Sequence, residues 1–184
     1  MAVLKMEPVE LTRLLDKLSG VIDFHKDLPS NVFVNDGLLF WFFERPLLCF
    51  SDVFYDLVLQ SISSFKSDVV IKFSGNVPLA DSCFFVNGDN VGGDTFWLNK
   101  GFEAFFNGQA GYPIVLFNGS CDWVAFESAY EEFGVIAVNA SAQNKEFCEY
   151  LQSNFISKEK LFELASGSSA ESTIAKAFIA SYYS

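Results

Sequence analysis

One histidine, four separated cysteines and a group of oxygen-bearing side chains between Asn87 and Asp94 are the parts of this 184-residue chain that could do chemistry. General acid–base catalysis uses histidine more than any other residue, and a nucleophile needs a base beside it. A catalytic triad would therefore have to be built on His25, which lies between Phe24 and Lys26 in an expected loop. No GxSxG elbow, Walker loop or HExxH pair occurs. The chain reads as a non-enzyme.

Cys49, Cys83, Cys121 and Cys148 form no CxxC pair and sit among apolar or aromatic neighbours, which is the setting of buried thiols in a reducing compartment. With a single histidine, a zinc site would need four distant thiolates to converge. Ser120-Cys121 falls in a turn between expected strands, with no helix N-terminus or basic neighbour in sequence to lower the thiol pKa. The 23 carboxylates make a chance resemblance to a paired-carboxylate glycosidase site easy, but sequence separation does not give spatial separation. Neither metal nor cofactor is expected.

The segment NGDNVGGDTFWLNKG, Asn87 to Gly101, is the most distinctive. An EF-hand requires acids at alternating positions and a glutamate at the twelfth, and these are missing. Gly88, Gly92 and Gly93 permit the positive φ of a tight turn, so Asn87 to Asp94 reads as the connection between strands Cys83 to Val86 and Thr95 to Leu98. Without a helix following, those glycines are not expected to cradle phosphate.

The elements around this segment follow from periodicity. Val9, Leu11, Leu14, Leu15 and Leu18 recur at helical spacing within Glu7 to Leu18, and Gly20 is the expected stop. Asn31 to Val34 and Leu38 to Phe43 are extended runs that Asn35, Asp36 and Gly37 would join as a hairpin. Ser51 caps a helix carrying Phe54, Leu57, Val58, Ser61, Ile62 and Phe65 on one face. Strands are expected at Asp68 to Phe73, Ile114 to Phe117, Trp123 to Phe126 and Phe133 to Val138. Helices return with Phe147, Leu151 and Phe155, with a cap at Ser157, and again after Ser166 to Ser169. This order predicts a single α+β domain over residues 1–184. Its central sheet is mainly antiparallel, apolar on one face, and flanked by helices from the N- and C-terminal ends.

Composition narrows the partners. Hydrophobic residues make up 51% of the chain, enough for a core without metal or disulfide support, and the 22 phenylalanines read as core. No apolar run reaches the roughly 20 residues that span a bilayer. The start, MAVLKMEPVELTRLL, has acids where a signal peptide is apolar, so a cytoplasmic location is expected. Net charge is −11, and between Phe73 and Asn144 eight acids face the single base Lys100. Such a surface repels nucleic acid and attracts a basic protein.

The stretch FFVNGDNVGGDTFWLN resembles the SUKH superfamily, whose members carry a strand, a glycine-rich turn and a second aromatic-containing strand. The stretch WVAFESAYEEFGVIAV is similar to immunity proteins of contact-dependent toxin systems. These resemblances imply a non-enzymatic immunity protein that binds and neutralises a cognate toxin domain, a basic nuclease. The expected partner-binding residues are Asp89, Asp94, Trp97, Asp122, Trp123, Glu127, Glu131 and Glu132. A monomer or weak dimer is expected. The alternatives are a small-ligand or peptide-binding module, suggested by the aromatic surplus, and last an enzyme using carboxylates.

Overall fold

Several strands of this chain carry apolar side chains at nearly every position rather than at alternate ones, because both faces of their sheet are covered. The computed structural model describes residues 4–5, 8–79, 81–107, 111–142 and 144–184. Its strands are β1 (Leu4–Lys5), β2 (Leu38–Glu44), β3 (Val69–Lys72), β4 (Cys83–Val86), β5 (Ile114–Asn118), β6 (Trp123–Glu127) and β7 (Phe133–Asn139). They form one sheet in the order β1-β4-β3-β5-β6-β7-β2, and every neighbouring pair is antiparallel. The α+β architecture with helices flanking an antiparallel sheet is the one expected.

Alternation along each strand splits the core in two. Val69, Ile71, Leu116, Trp123, Ala125, Ile136 and Phe43 point to one face, where α2 (Ser51–Phe65), α3 (Val91–Phe106) and α4 (Lys145–Asn154) cover them. Val70, Val115, Phe117, Val124, Phe126, Val135 and Phe42 point to the other. That second face lies under α1 (Pro8–Ser19), α5 (Lys158–Ala165) and α6 (Ala170–Tyr182), through Leu11, Leu18, Leu161, Ala175 and Phe178. The N- and C-terminal helices thus share one layer and the central helices form the other. Among the described residues, no helix is long and apolar enough to cross a membrane.

Side-chain caps fix where the late helices begin. Asn144, Ser157 and Ser169 accept the backbone N–H groups of Phe147, Lys160 and Ser172 at 3.1, 3.4 and 3.2 Å. Each satisfies a donor that the first turn of a helix leaves open.

Four expectations need correction. Thr95 to Leu98 is not a strand: it lies inside α3, whose first turn is capped by Asn90 accepting from the Gly93 N–H at 3.4 Å. Only Gly88, at φ +91°, serves the turn; Gly92 and Gly93 are helical. Burial of Val91, Thr95, Leu98 and Phe106 on one face outweighs the poor helix propensity of the glycine pair. Asn31 to Val34 and Leu38 to Phe43 do not form a hairpin: Phe33 bridges Ile22, while β2 crosses to pair with β7 along its whole length. The sheet is apolar on both faces rather than one. Cys49 is exposed, whereas Cys83 is buried and Cys121 and Cys148 are half-buried.

Candidate binding surface

The eight residues expected to form one partner surface do not lie together. Asp94, Trp123 and Glu127 are each 1% exposed, so none can meet a partner. Trp123 is a core residue on β6, its indole N–H donating to Ser61 Oγ of α2 at 2.7 Å. Asp94 is buried in the first turn of α3, where the helix dipole favours an acid. Trp97 is half-buried against Phe84, with ring centroids 5.1 Å apart.

The remaining four sit at opposite ends of the sheet. Asp122 precedes Trp123, and Asp89 follows β4, whose Val86 is joined through Val69 to Asn118 at the same end. Glu131 and Glu132 lie in the β6–β7 turn at the other end, on the order of 15 Å away along the strands. Asp89 and Asp122 are also occupied locally, accepting from the amides of Asn87 at 3.0 Å and Asn118 at 2.7 Å.

Two buried ionisable groups have chemical potential, and both are used in structure. The ammonium of Lys72, 0% exposed, donates to Ser74 Oγ, to Ser82 Oγ at 2.7 Å and to the Val77 carbonyl at 2.8 Å. Both serine hydroxyls donate onward to backbone carbonyls, of Val77 and Leu79. Burial lowers the Lys72 pKa to about 8, and Lys72, Ser74 and Ser82 are each 0% exposed. Glu127 Oε1 accepts the Leu47 N–H at 3.1 Å, and burial raises its pKa to about 7 against the opposing pull of that bond and of Arg45. It holds the 3-10 turn Leu47–Cys49 onto the sheet.

Burial works against the thiolate at Cys49, Cys83 and Cys121. Burial pushes Cys83 up to about 12, and it raises Cys121 even though Lys17, remote in sequence, stands beside it and pulls the other way. Among the described residues, no group of three or more His, Cys, Asp or Glu side chains could hold a metal ion.

What the fold does present is the outer face of the α2–α3 pair. The two helices run antiparallel: Asn99 Nδ2 donates to Ser51 Oγ at 3.4 Å, and a Cβ at Gly92 would sit 3.8 Å from the Tyr55 ring. Along this face Tyr55 and Phe96 are exposed, Phe96 by 63%. Asp52 on α2, Asp89 before α3 and Glu103 on α3 are exposed, and Glu103 is near enough to Cys49 to add to the rise that burial gives its pKa; Asp56 instead lies on the α4 side of α2, where it adds to the rise that burial gives the Tyr150 pKa. Lys100 lies 4.5 Å over the Phe96 ring. Sequence reasoning named Asp89 but missed Phe96 and Glu103, because it read Thr95 to Leu98 as a strand. The helical spacing of Val91, Thr95, Leu98, Phe102 and Phe106 would have left Phe96 and Glu103 off the apolar stripe.

On the opposite flank of α2 lies a cavity of about 270 Å³. Phe43, Leu47, Phe50, Val53 and Phe155 wall it, and Glu44, Asn154 and Lys160 stand at its rim.

Comparison with protein-family models, with curated proteins and with solved structures finds no match to this chain.

Proposed function

We propose that this chain is a non-enzymatic immunity protein that binds and neutralises a basic toxin domain, a nuclease, through the outer face of α2 and α3. The observation that carries this reading is the exposed pair Tyr55 and Phe96 on two packed helices that also expose the acids Asp52 and Glu103, with Asp89 exposed just before α3. Binding energy concentrates in a few aromatic or charged anchors, while surrounding charge sets encounter rate and rejects wrong partners. A nuclease must carry positive charge where it holds phosphates, and an acidic face complements that charge. The acidic interface therefore moves from the strand turns, where its residues are buried or scattered, to the helix pair.

The test is co-purification with the product of the adjacent gene, followed by titration in rising salt. A 1:1 complex that weakens with salt and is lost in Tyr55→Ala/Phe96→Ala supports the reading. A neighbour that is not a toxin, or a pair that fails to associate at low salt, overturns it.

A second reading, the small-ligand or peptide-binding module, is favoured by a separate observation, the cavity between β2, α2 and the α4–α5 connection.

A further inference from the structure

Strand β2 ends the sheet, so one of its edges has no neighbouring strand. The hydrogen bonds define which residues face that edge. Phe42 donates its N–H to the Ile156 carbonyl at 2.9 Å and accepts from the Ile156 N–H at 2.8 Å, turning its main chain away from β7. Arg45 donates to the Glu132 carbonyl at 2.9 Å, turning toward β7. Because the pattern alternates, the N–H and C=O of Glu44 point outward like those of Phe42. Ile156, in the short extended connection from α4 to α5, is thus a one-residue strand on this edge, and the pairing stops where the cavity begins.

We infer that this open end of β2 binds an extended peptide, which adds as a strand beside Glu44 and places one aromatic or aliphatic side chain in the cavity. Three features define this occupant. The main-chain donor and acceptor of Glu44 call for a partner with a free main chain, as in strand addition. At about 270 Å³ the cavity is below the roughly 300–1,000 Å³ of typical small-molecule pockets, so it suits one anchoring side chain. Its rim carries the acid Glu44 and the base Lys160, both exposed, with no ion pair between them among the described residues. The peptide therefore carries a basic residue on one side of its anchor and an acidic residue on the other. This inference rests on the second reading above and not on the α2–α3 face.

The experiment titrates the whole protein with two synthetic peptides, Lys-Val-Phe-Val-Glu and Glu-Val-Phe-Val-Lys, and with versions N-methylated at one or the other alternate set of amides. One order binds saturably, one methylation set weakens it at least tenfold and the other leaves it unchanged. Lys160→Glu, on an exposed position, weakens the charged peptide about three- to fivefold and leaves a peptide with alanine at both ends unchanged. If binding survives both methylation sets, the cavity binds but strand addition is wrong. If neither peptide binds up to millimolar concentration while indole or toluene raises the melting temperature, the site takes small molecules and the inference falls. If nothing binds, the second reading falls with it.

Discussion

The ring of Phe43 lies directly over Gly134 on the neighbouring strand: a Cβ placed on Gly134 would sit 2.2 Å from the ring's Cζ. Phe43 is at once a core residue of the α2–α4 face and a wall of the cavity at β2. The absence of a side chain at Gly134 therefore sets the position of that wall.

Gly134→Ala forces the ring outward, because its clash is with a buried aromatic and not with the tip of a flexible chain. Overpacking of this kind costs about 1–3 kcal/mol. Chemical denaturation should show that loss, and the double variant Gly134→Ala/Phe43→Leu should cost less than the sum of its two single changes. Additive losses would mean that the ring is not what Gly134 accommodates.

Glu127 makes stability depend on pH in a stated direction. Its pKa rises on folding from 4.5 to about 7, so between these values the folded chain holds a proton that the unfolded chain has released. Its contribution is therefore unpenalised below pH 4.5, falls as pH rises and levels off above pH 7, a change of roughly 3 kcal/mol. Glu127→Gln keeps an oxygen for the Leu47 N–H and removes the charge. Melting curves from pH 4 to pH 9 should show the variant gaining on the parent as pH rises; a constant difference contradicts the assignment.

Lys72 ties the loop from Ser74 to Ser82 to the end of β3. Lys72→Met fills much of the same space but leaves the buried Ser74 and Ser82 hydroxyl oxygens without their shared donor, while the Val77 carbonyl keeps the Ser74 hydroxyl. The expected loss is about 1–3 kcal/mol near neutral pH, with faster amide exchange across residues 74–79 and 81–82. Because the Lys72 pKa falls on folding from 10.5 to about 8, the parent's stability relative to the variant should increase between those pH values.

Ser61→Ala removes the acceptor of the Trp123 indole N–H in a region with no solvent access. An orphaned buried donor costs about 1–3 kcal/mol, whereas a serine-to-alanine change in a helix is otherwise near neutral or favourable. A stability change within about 0.5 kcal/mol of zero would show that the bond contributes little net energy.

Phe96→Ala should leave stability within about 0.5 kcal/mol of the parent, since its side chain is 63% exposed, whereas Tyr55→Ala, at a ring only 37% exposed and packed beside α3, should cost about 1 kcal/mol. Each should nonetheless weaken the proposed complex by more than about 1 kcal/mol. Calorimetry on the free protein and on the complex separates the two effects.

Local patterns carried much of the fold. The apolar spacing of Phe54, Leu57, Val58 and Phe65 marked α2, the β-branched run at Val69 to Ile71 marked β3, and Ser157 and Ser169 marked the starts of α5 and α6. Each signal lies within a few residues of the element it specifies, so one sequence is enough to read it. The Gly92-Gly93 pair misled because propensity is weak beside the burial of Val91, Leu98 and Phe106, which depends on the sheet beneath them.

The sequence by itself determined the alternation of apolar strands and amphipathic helices and the negative charge. Only the tertiary structure decided that β2 pairs with β7, that Trp123, Asp94 and Glu127 turn inward, and that Tyr55 of α2 stands beside Gly92 of α3, one turn from the exposed Phe96. The physical reason is that strand pairing and burial join residues far apart along the chain. An acid on a strand can point to core or solvent with the same local sequence, and its direction is set by what packs against it.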